Sequence, residues 1–138
     1  MSKIIGRAGM SSIDVPTMLI SGTNDLIMPP LAEQIKPFSW LNNNLEKYLV
    51  LVKPGTHFSF LQEGLGVLPV PDTAVGPSPS SAPTLKAIST AFFQVYLKQQ
   101  PSYQPYLEQD YLNQLNNNAF ELSIIRFLRK YQLQEVFN

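Results

Sequence analysis

The chain has 138 residues, of which 44% are hydrophobic and 14% are charged. This composition predicts one globular domain and excludes wholesale disorder. Ten lysines and arginines balance ten aspartates and glutamates, so there is no basic excess of the kind that binds nucleic acid or an anionic membrane surface. The absence of cysteine and the single histidine exclude disulfides, thiolate metal sites and a cysteine nucleophile within these residues. We therefore predict neither a metal nor a cofactor.

The first ten residues do not show the pattern of a signal peptide, because Arg7 interrupts the apolar stretch. No window approaches the 18 or more consecutive apolar residues of a membrane span. We therefore expect a soluble protein, cytoplasmic by default, that begins in a loop.

Two short apolar runs, at residues 17–21 and 48–52, predict strands that are covered on both faces. Between them, apolar residues recur at helical spacing over residues 31–40, and Pro37 should distort or end that helix. A strand, a helix and a strand within about 40 residues form a βαβ unit, whose crossover makes the two strands parallel. The sequence thus predicts the α/β class.

The second half of the chain predicts helices. Residues 64–83 are rich in glycine, proline and serine and predict a long irregular connection. An apolar stripe over residues 85–97 predicts the clearest helix, and residues 101–118 predict a shorter, more polar one. A last amphipathic helix is predicted from the spacing of Phe120, Ile124, Phe127, Leu128 and Tyr131.

Two parallel strands form at best a marginal sheet, and all-parallel sheets occur almost only in larger, fully covered assemblies. The sheet therefore needs further strands, either from a preceding segment of a longer protein or from a second chain. We favour the preceding segment, because the chain starts in a loop just before a buried strand.

One acidic and one imidazole side chain follow the two predicted strands. Asp25 lies in the turn Gly-Thr-Asn-Asp after the first strand, and His57 lies in Gly-Thr-His after the second. The carboxyl ends of parallel strands meet at one edge of a sheet, which is where open α/β sheets place their ligands. We therefore expect Asp25 and His57 to converge there. Asp14 and Asp72 are weaker candidates for the acid, because neither directly follows a strand.

These two segments, within residues 9–60, resemble the last two strands of the α/β-hydrolase fold, most closely the dienelactone-hydrolase and platelet-activating-factor-acetylhydrolase-like bacterial hydrolases. In that family the acid follows the penultimate strand in a Gly-x-x-Asp turn, and the histidine follows the last strand in a Gly-x-His turn. The resemblance implies that Asp25 and His57 are the acid and base of a catalytic triad that hydrolyses carboxylic esters or similar acyl substrates. By position, Met28 and Phe58 are candidate substrate-binding residues, with core packing as the alternative for each.

The chain departs from the family pattern at the nucleophile. It contains no Gly-x-Ser-x-Gly, and residues 9–13 lack the second glycine of that motif. A serine, or a cysteine as in true dienelactone hydrolases, would come from a segment upstream, so we expect this chain to be nearly inert alone. The alternative is a non-catalytic interaction module that completes its sheet with a partner chain.

Overall fold

A computed structural model describes residues 2–60 and 81–128, apart from the side chains of residues 2–4 and 58. Three strands, four α-helices and three shorter helical turns make up this part of the chain. The strands are β1 (Thr17–Gly22), β2 (Lys47–Lys53) and β3 (Glu121–Ile125), and the α-helices are α1 (Ser2–Ser11), α2 (Lys36–Phe38), α3 (Ala82–Tyr96) and α4 (Gln109–Leu115). A π-helical turn spans Leu31–Ile35, and 3₁₀-helices span His57–Phe60 and Pro101–Leu107.

The three strands form one sheet in the order β1-β2-β3. β1 and β2 are parallel, with Thr17 opposite Lys47 and Gly22 opposite Val52. β3 runs antiparallel to β2, with Leu49 opposite Ile125. This small mixed sheet with several helices is compatible with the α/β class, and the predicted pair of parallel strands is confirmed.

β2 is the centre of the molecule, and its residues 48–52 are completely buried. Tyr48, Val50 and Val52 face an apolar cluster under α3, the second 3₁₀-helix and α4. Leu49 and Leu51 face a second cluster that includes Ile35 and Phe38 of the crossover segment. The two clusters explain why β2 is apolar at both parities, since each face of the strand is covered.

The crossover between β1 and β2 is helical over residues 31–38, as its apolar spacing predicts. The backbone changes from a π-helical turn to α-helix at Lys36, and the helix ends at Phe38. Pro37 has no backbone N–H to donate to the preceding turn. The predicted distortion at Pro37 is therefore confirmed.

The predicted last helix is wrong, because the chain forms β3 there. The amide of Asn117 donates to the carbonyl of Phe120 at 3.1 Å, and its side-chain oxygen accepts from the amides of Ala119 and Phe120. This turn directs the chain back along β2, where Leu122 joins the first cluster and Ile125 the second. A short strand that packs on both faces needs apolar residues at both even and odd positions. In this segment their spacing resembles the apolar stripe of an amphipathic helix. Phe127 and Leu128 follow β3, and Tyr131 lies outside the described residues.

The start of the chain is also not the predicted loop. Residues 2–11 form α1, which is interrupted at Gly6, where φ is 63°. Met10 is buried in the second cluster. Two glycines within ten residues weaken the helical signal in the sequence, and the packing of Met10 adds stability that the sequence pattern does not show.

The remaining helices lie close to their predicted positions. α3 confirms the clearest predicted helix, whereas the polar segment 101–118 divides into the 3₁₀-helix Pro101–Leu107 and α4. The predicted irregular connection falls largely on residues 61–80, outside the described part. Among the described helices, none has the length and apolar character needed to cross a bilayer.

Candidate active site

Asp25 and His57 meet at the carboxyl edge of the parallel strand pair. Nδ1 of His57 lies 2.9 Å from Oδ2 of Asp25, a hydrogen-bonding distance. The Asp25 side chain is 3% exposed and the His57 side chain is 42% exposed. The acid is thus buried beneath an imidazole that reaches solvent.

The turn that follows β1 holds the Asp25 carboxylate in place. Its Oδ1 accepts hydrogen bonds from the backbone amides of Ile27 at 3.0 Å and Met28 at 2.7 Å. Hydrogen bonds to an ionised acceptor are stronger than neutral ones. One carboxylate oxygen is therefore fixed by its own turn, and the other is presented to the imidazole.

Two glycines allow the turn after β1, which carries Asp25, to contact the turn after β2, which carries His57. These are called the acid turn and the histidine turn. The amide of Asn24 donates to the carbonyl of Gly55 at 2.7 Å, and the amide of Thr23 donates to the carbonyl of Val52 at 2.9 Å. A Cβ on Gly22 would lie 2.2 Å from the Gly55 oxygen, and a Cβ on Gly55 would lie 2.9 Å from the Gly22 Cα. No side chain fits at this close approach, so both turns need glycine.

Two buried serines connect the histidine turn to the start of α3 through hydrogen bonds. The hydroxyl of Ser59 accepts from the amide of Thr56 at 2.8 Å. The hydroxyl of Ser81 donates to the carbonyl of Ser59 at 2.9 Å, and the Ser81 amide donates to the same oxygen. The sequence did not predict this connection, because the contact between Ser81 and Ser59 joins residues 22 positions apart.

The other predicted residues take different places. Met28 contributes its backbone amide to the site, and its side chain is half-buried. The backbone of Phe58 directly follows His57 in a 3₁₀-helix, but its side chain lies outside the described residues. Asp14 is exposed and precedes β1, at the end of the strand opposite to His57, and Asp72 lies outside the described part.

Apolar groups border the acid and base. Leu26 is 72% exposed and Ile27 is 46% exposed, immediately after Asp25. A cavity of about 410 Å³ lies between β1 and α3, with Ile20 and Phe60 in its wall, and its lining includes neither Asp25 nor His57. A patch of exposed apolar side chains beside a polar pair is typical of a surface that meets a ligand or another polypeptide.

The geometry determines how the imidazole can act. A hydrogen bond from Nδ1 to the carboxylate places the proton of the neutral ring on Nδ1, so Nε2 is the basic nitrogen. Such a pair accepts a proton from a hydroxyl next to Nε2 and returns it, while the carboxylate stabilises the imidazolium. Among residues 2–60 and 81–128, no group of three or more histidine, cysteine or carboxylate side chains is placed to hold a metal ion.

No protein-family model matches this chain, and no curated protein or solved structure is significantly similar to it. Its function is therefore argued from the chemistry of the site.

Proposed function

We propose that this chain supplies the acid and the general base of an acyl hydrolase of the α/β-hydrolase type, whose nucleophile comes from polypeptide outside these 138 residues. The observation that carries the proposal is the 2.9 Å contact between His57 Nδ1 and Asp25 Oδ2. The two residues follow neighbouring parallel strands, in the chain order acid and then histidine that such hydrolases use.

In the proposed mechanism, Nε2 of His57 takes the proton of a serine hydroxyl as its oxygen attacks the ester carbonyl. The same proton passes to the leaving alcohol as the carbon–oxygen bond breaks, which leaves an acyl-enzyme. His57 then takes a proton from water as the water oxygen attacks the acyl carbon, and it returns that proton to the serine oxygen as the acyl–serine bond breaks and the carboxylic acid leaves. Asp25 stabilises the imidazolium through its contact with Nδ1.

The outer edge of β1 offers a place for a further parallel strand. The amides of Thr17 and Thr23 both donate towards β2, to Glu46 and Val52. Because amides alternate along a strand, those of Met18 and Ile20 point away from β2. A parallel strand added at this edge would end beside Asp25 and His57, where a nucleophile is needed. The exposed Leu26 and Ile27 favour an apolar acyl group as the substrate.

The same open edge favours a second candidate function. A non-catalytic module would use β1 to pair with a strand of another protein, and main-chain hydrogen bonds would supply much of the affinity. In that case the contact between Asp25 and His57 would serve only to join the two turns.

The deciding experiment compares this chain with a longer product that includes the in-frame sequence encoded upstream of Met1. We expect the longer product to hydrolyse p-nitrophenyl butyrate and to be labelled by a fluorophosphonate, which reacts with activated serines. His57→Ala should lower its turnover by about 10⁴-fold or more. Asp14→Asn is the matched control and should leave turnover unchanged, because Asp14 is exposed and far from His57.

The outcomes separate the two candidates. Turnover that survives His57→Ala would contradict the hydrolase proposal, and so would a longer product that folds but neither turns over nor is labelled. A stable complex without turnover would instead support the interaction module. An independent readout needs no nucleophile: ¹⁵N spectra of the only histidine should show the Nδ1–H tautomer, and Asp25→Ala should remove that preference.

A further inference from the structure

Lys47 is a buried cation at the amino end of β2, opposite to the end that carries the candidate active site. The residue is 4% exposed. Its ammonium donates to the carbonyl of Leu41 at 3.0 Å and to Oδ1 of Asn43 at 2.9 Å. The ammonium also lies 5.1 Å from the centre of the Phe38 ring. An ammonium has three N–H donors, and these two oxygens occupy two of them.

No carboxylate within residues 2–60 and 81–128 forms an ion pair with Lys47. The nearest acidic residue in sequence, Glu46, is engaged by Arg126 and by the hydroxyl of Tyr96. Burial without a compensating anion lowers the pKa of Lys47 from its usual value. A charge buried in this way is costly unless an anion joins it.

A cavity of about 260 Å³ has Lys47 and its partner Asn43 in its lining. The lining residues are Phe38, Ser39, Asn43, Lys47, Phe127 and Leu128. Because Oδ1 of Asn43 accepts from Lys47, the amide NH₂ of Asn43 is available as a second donor. Phe127 is 56% exposed and stands at the rim.

We propose that this cavity binds a small carboxylate with an apolar tail, such as a short-chain fatty acid. The carboxylate would accept the third N–H of Lys47 and a hydrogen from the Asn43 amide. The tail would lie against Phe127 and Leu128. A single cation beside two accessible apolar side chains fits a singly charged amphiphile better than an inorganic phosphate, which has no apolar part to bury. The inference does not rest on the proposed function, because the two sites lie at opposite ends of β2.

The test is a titration of the 138-residue chain with hexanoate, in which calorimetry and the fluorescence of Trp40 measure binding. This residue is the only tryptophan in the chain, and it follows Ser39 directly. We expect saturable binding of hexanoate, and binding of hexan-1-ol and inorganic phosphate that is weaker by about tenfold or more. Equal binding of hexan-1-ol and hexanoate would overturn the proposal, and so would the absence of saturable hexanoate binding.

Two variants test the assigned donors. Lys47→Met should weaken hexanoate binding by about tenfold or more, because it removes the charged donor. Asn43→Asp keeps an acceptor for Lys47 and therefore the local fold, but it replaces the NH₂ donor with a negative charge and should weaken binding similarly. Lys53→Met, at the other end of β2, is the matched control and should bind hexanoate as the unmodified chain does. Unchanged affinity in Asn43→Asp would overturn the proposal even if Lys47→Met failed to fold.

Discussion

The two outer strands of the sheet close their free edges differently. On the outer side of β3, Oε1 of Gln109 accepts from the amide of Ile124 at 2.9 Å, and Nε2 donates to the carbonyl of Leu122 at 3.1 Å. Oδ1 of Asn116 accepts from the amide of Leu122 at 2.6 Å. The two side chains thus satisfy outward-facing backbone groups of Leu122 and Ile124, as a fourth strand would, and they close the outer edge of β3.

The outer side of β1 shows no such arrangement in the part of the chain that the structure describes. Its residues Met18, Leu19 and Ile20 are only half-buried, whereas the equally apolar residues of β2 are fully buried. An apolar strand with open backbone groups is suited to accept another strand. The comparison shows that similar apolar runs take different roles according to what closes their edges.

The strongest test of this comparison substitutes proline at one outward-facing amide on each edge. Both Ile124 and Met18 have half-buried side chains that pack against the first cluster. Ile124→Pro leaves Oε1 of Gln109 without a donor and should lower the free energy of unfolding by about 3 kcal/mol. Met18→Pro breaks no such bond and should cost clearly less. Urea denaturation measures both values, and an equal or larger cost for Met18→Pro would mean that the β1 edge is closed.

A smaller effect is expected when the side chain that closes β3 is removed. Gln109→Ala leaves the Ile124 amide and the Leu122 carbonyl unpaired at a partly buried edge. We expect a loss of about 2 kcal/mol in the free energy of unfolding and faster hydrogen exchange at Ile124. Gln114→Ala, an exposed residue of the same helix, is the control and should change stability by no more than about 0.5 kcal/mol. Equal effects of the two variants would contradict the assigned role of Gln109.

The smallest expected effect concerns a polar network that joins the start of β2 to the end of β3. The hydroxyls of Tyr48 and Tyr96 lie 2.6 Å apart. Tyr96 also donates to Glu46, which pairs with Arg126 directly after β3. Burial, followed by the hydrogen bond with Tyr48, raises the pKa of Tyr96 well above its ordinary value of 10.0. The folded protein therefore keeps Tyr96 neutral where the unfolded chain ionises it.

This stabilisation is fully present below pH 10 and declines as the pH rises above it. The slope for one such group is about 1.4 kcal/mol per pH unit. Tyr96→Phe should flatten the decline in urea denaturation between pH 9 and pH 11, whereas exposed Tyr106→Phe should not. The lowered pKa of Lys47 has the opposite effect, because stability rises with pH above that lowered pKa. The unmodified chain and both variants share this contribution, so it does not alter the comparison between them. An identical decline in Tyr96→Phe would refute the role of this network.

Local patterns were sufficient for β1, β2 and the helical crossover between them, although not for α1. The apolar runs of β1 and β2 are continuous, glycine turns bound them, and the helical spacing between them makes a parallel crossover necessary. That topology alone predicts that Asp25 and His57 lie at one edge of the sheet. In the structure, Nδ1 of His57 lies 2.9 Å from Oδ2 of Asp25. The glycine contact that brings the turns together was not predicted, because Gly22 and Gly55 each read as an ordinary turn residue.

The second half was less predictable for a physical reason. Residues 120–128 have a spacing that fits a helix stripe, and no local signal opposes that reading. The strand forms because Asn117 turns the chain towards β2 and because Gln109 and Asn116 satisfy the outer backbone groups. These contacts join residues that sequence periodicity treats as separate segments.

The sequence by itself thus determined that β1 and β2 are strands, that they run in the same direction, and that a carboxylate and an imidazole follow their ends. Only the tertiary structure decided how the sheet is bordered: by side chains at β3, and at β1 by an edge that no described residue covers. Apolar periodicity indicates which faces of a segment pack against the core. Hydrogen-bond closure of a sheet edge depends on polar atoms that are brought together from distant parts of the chain.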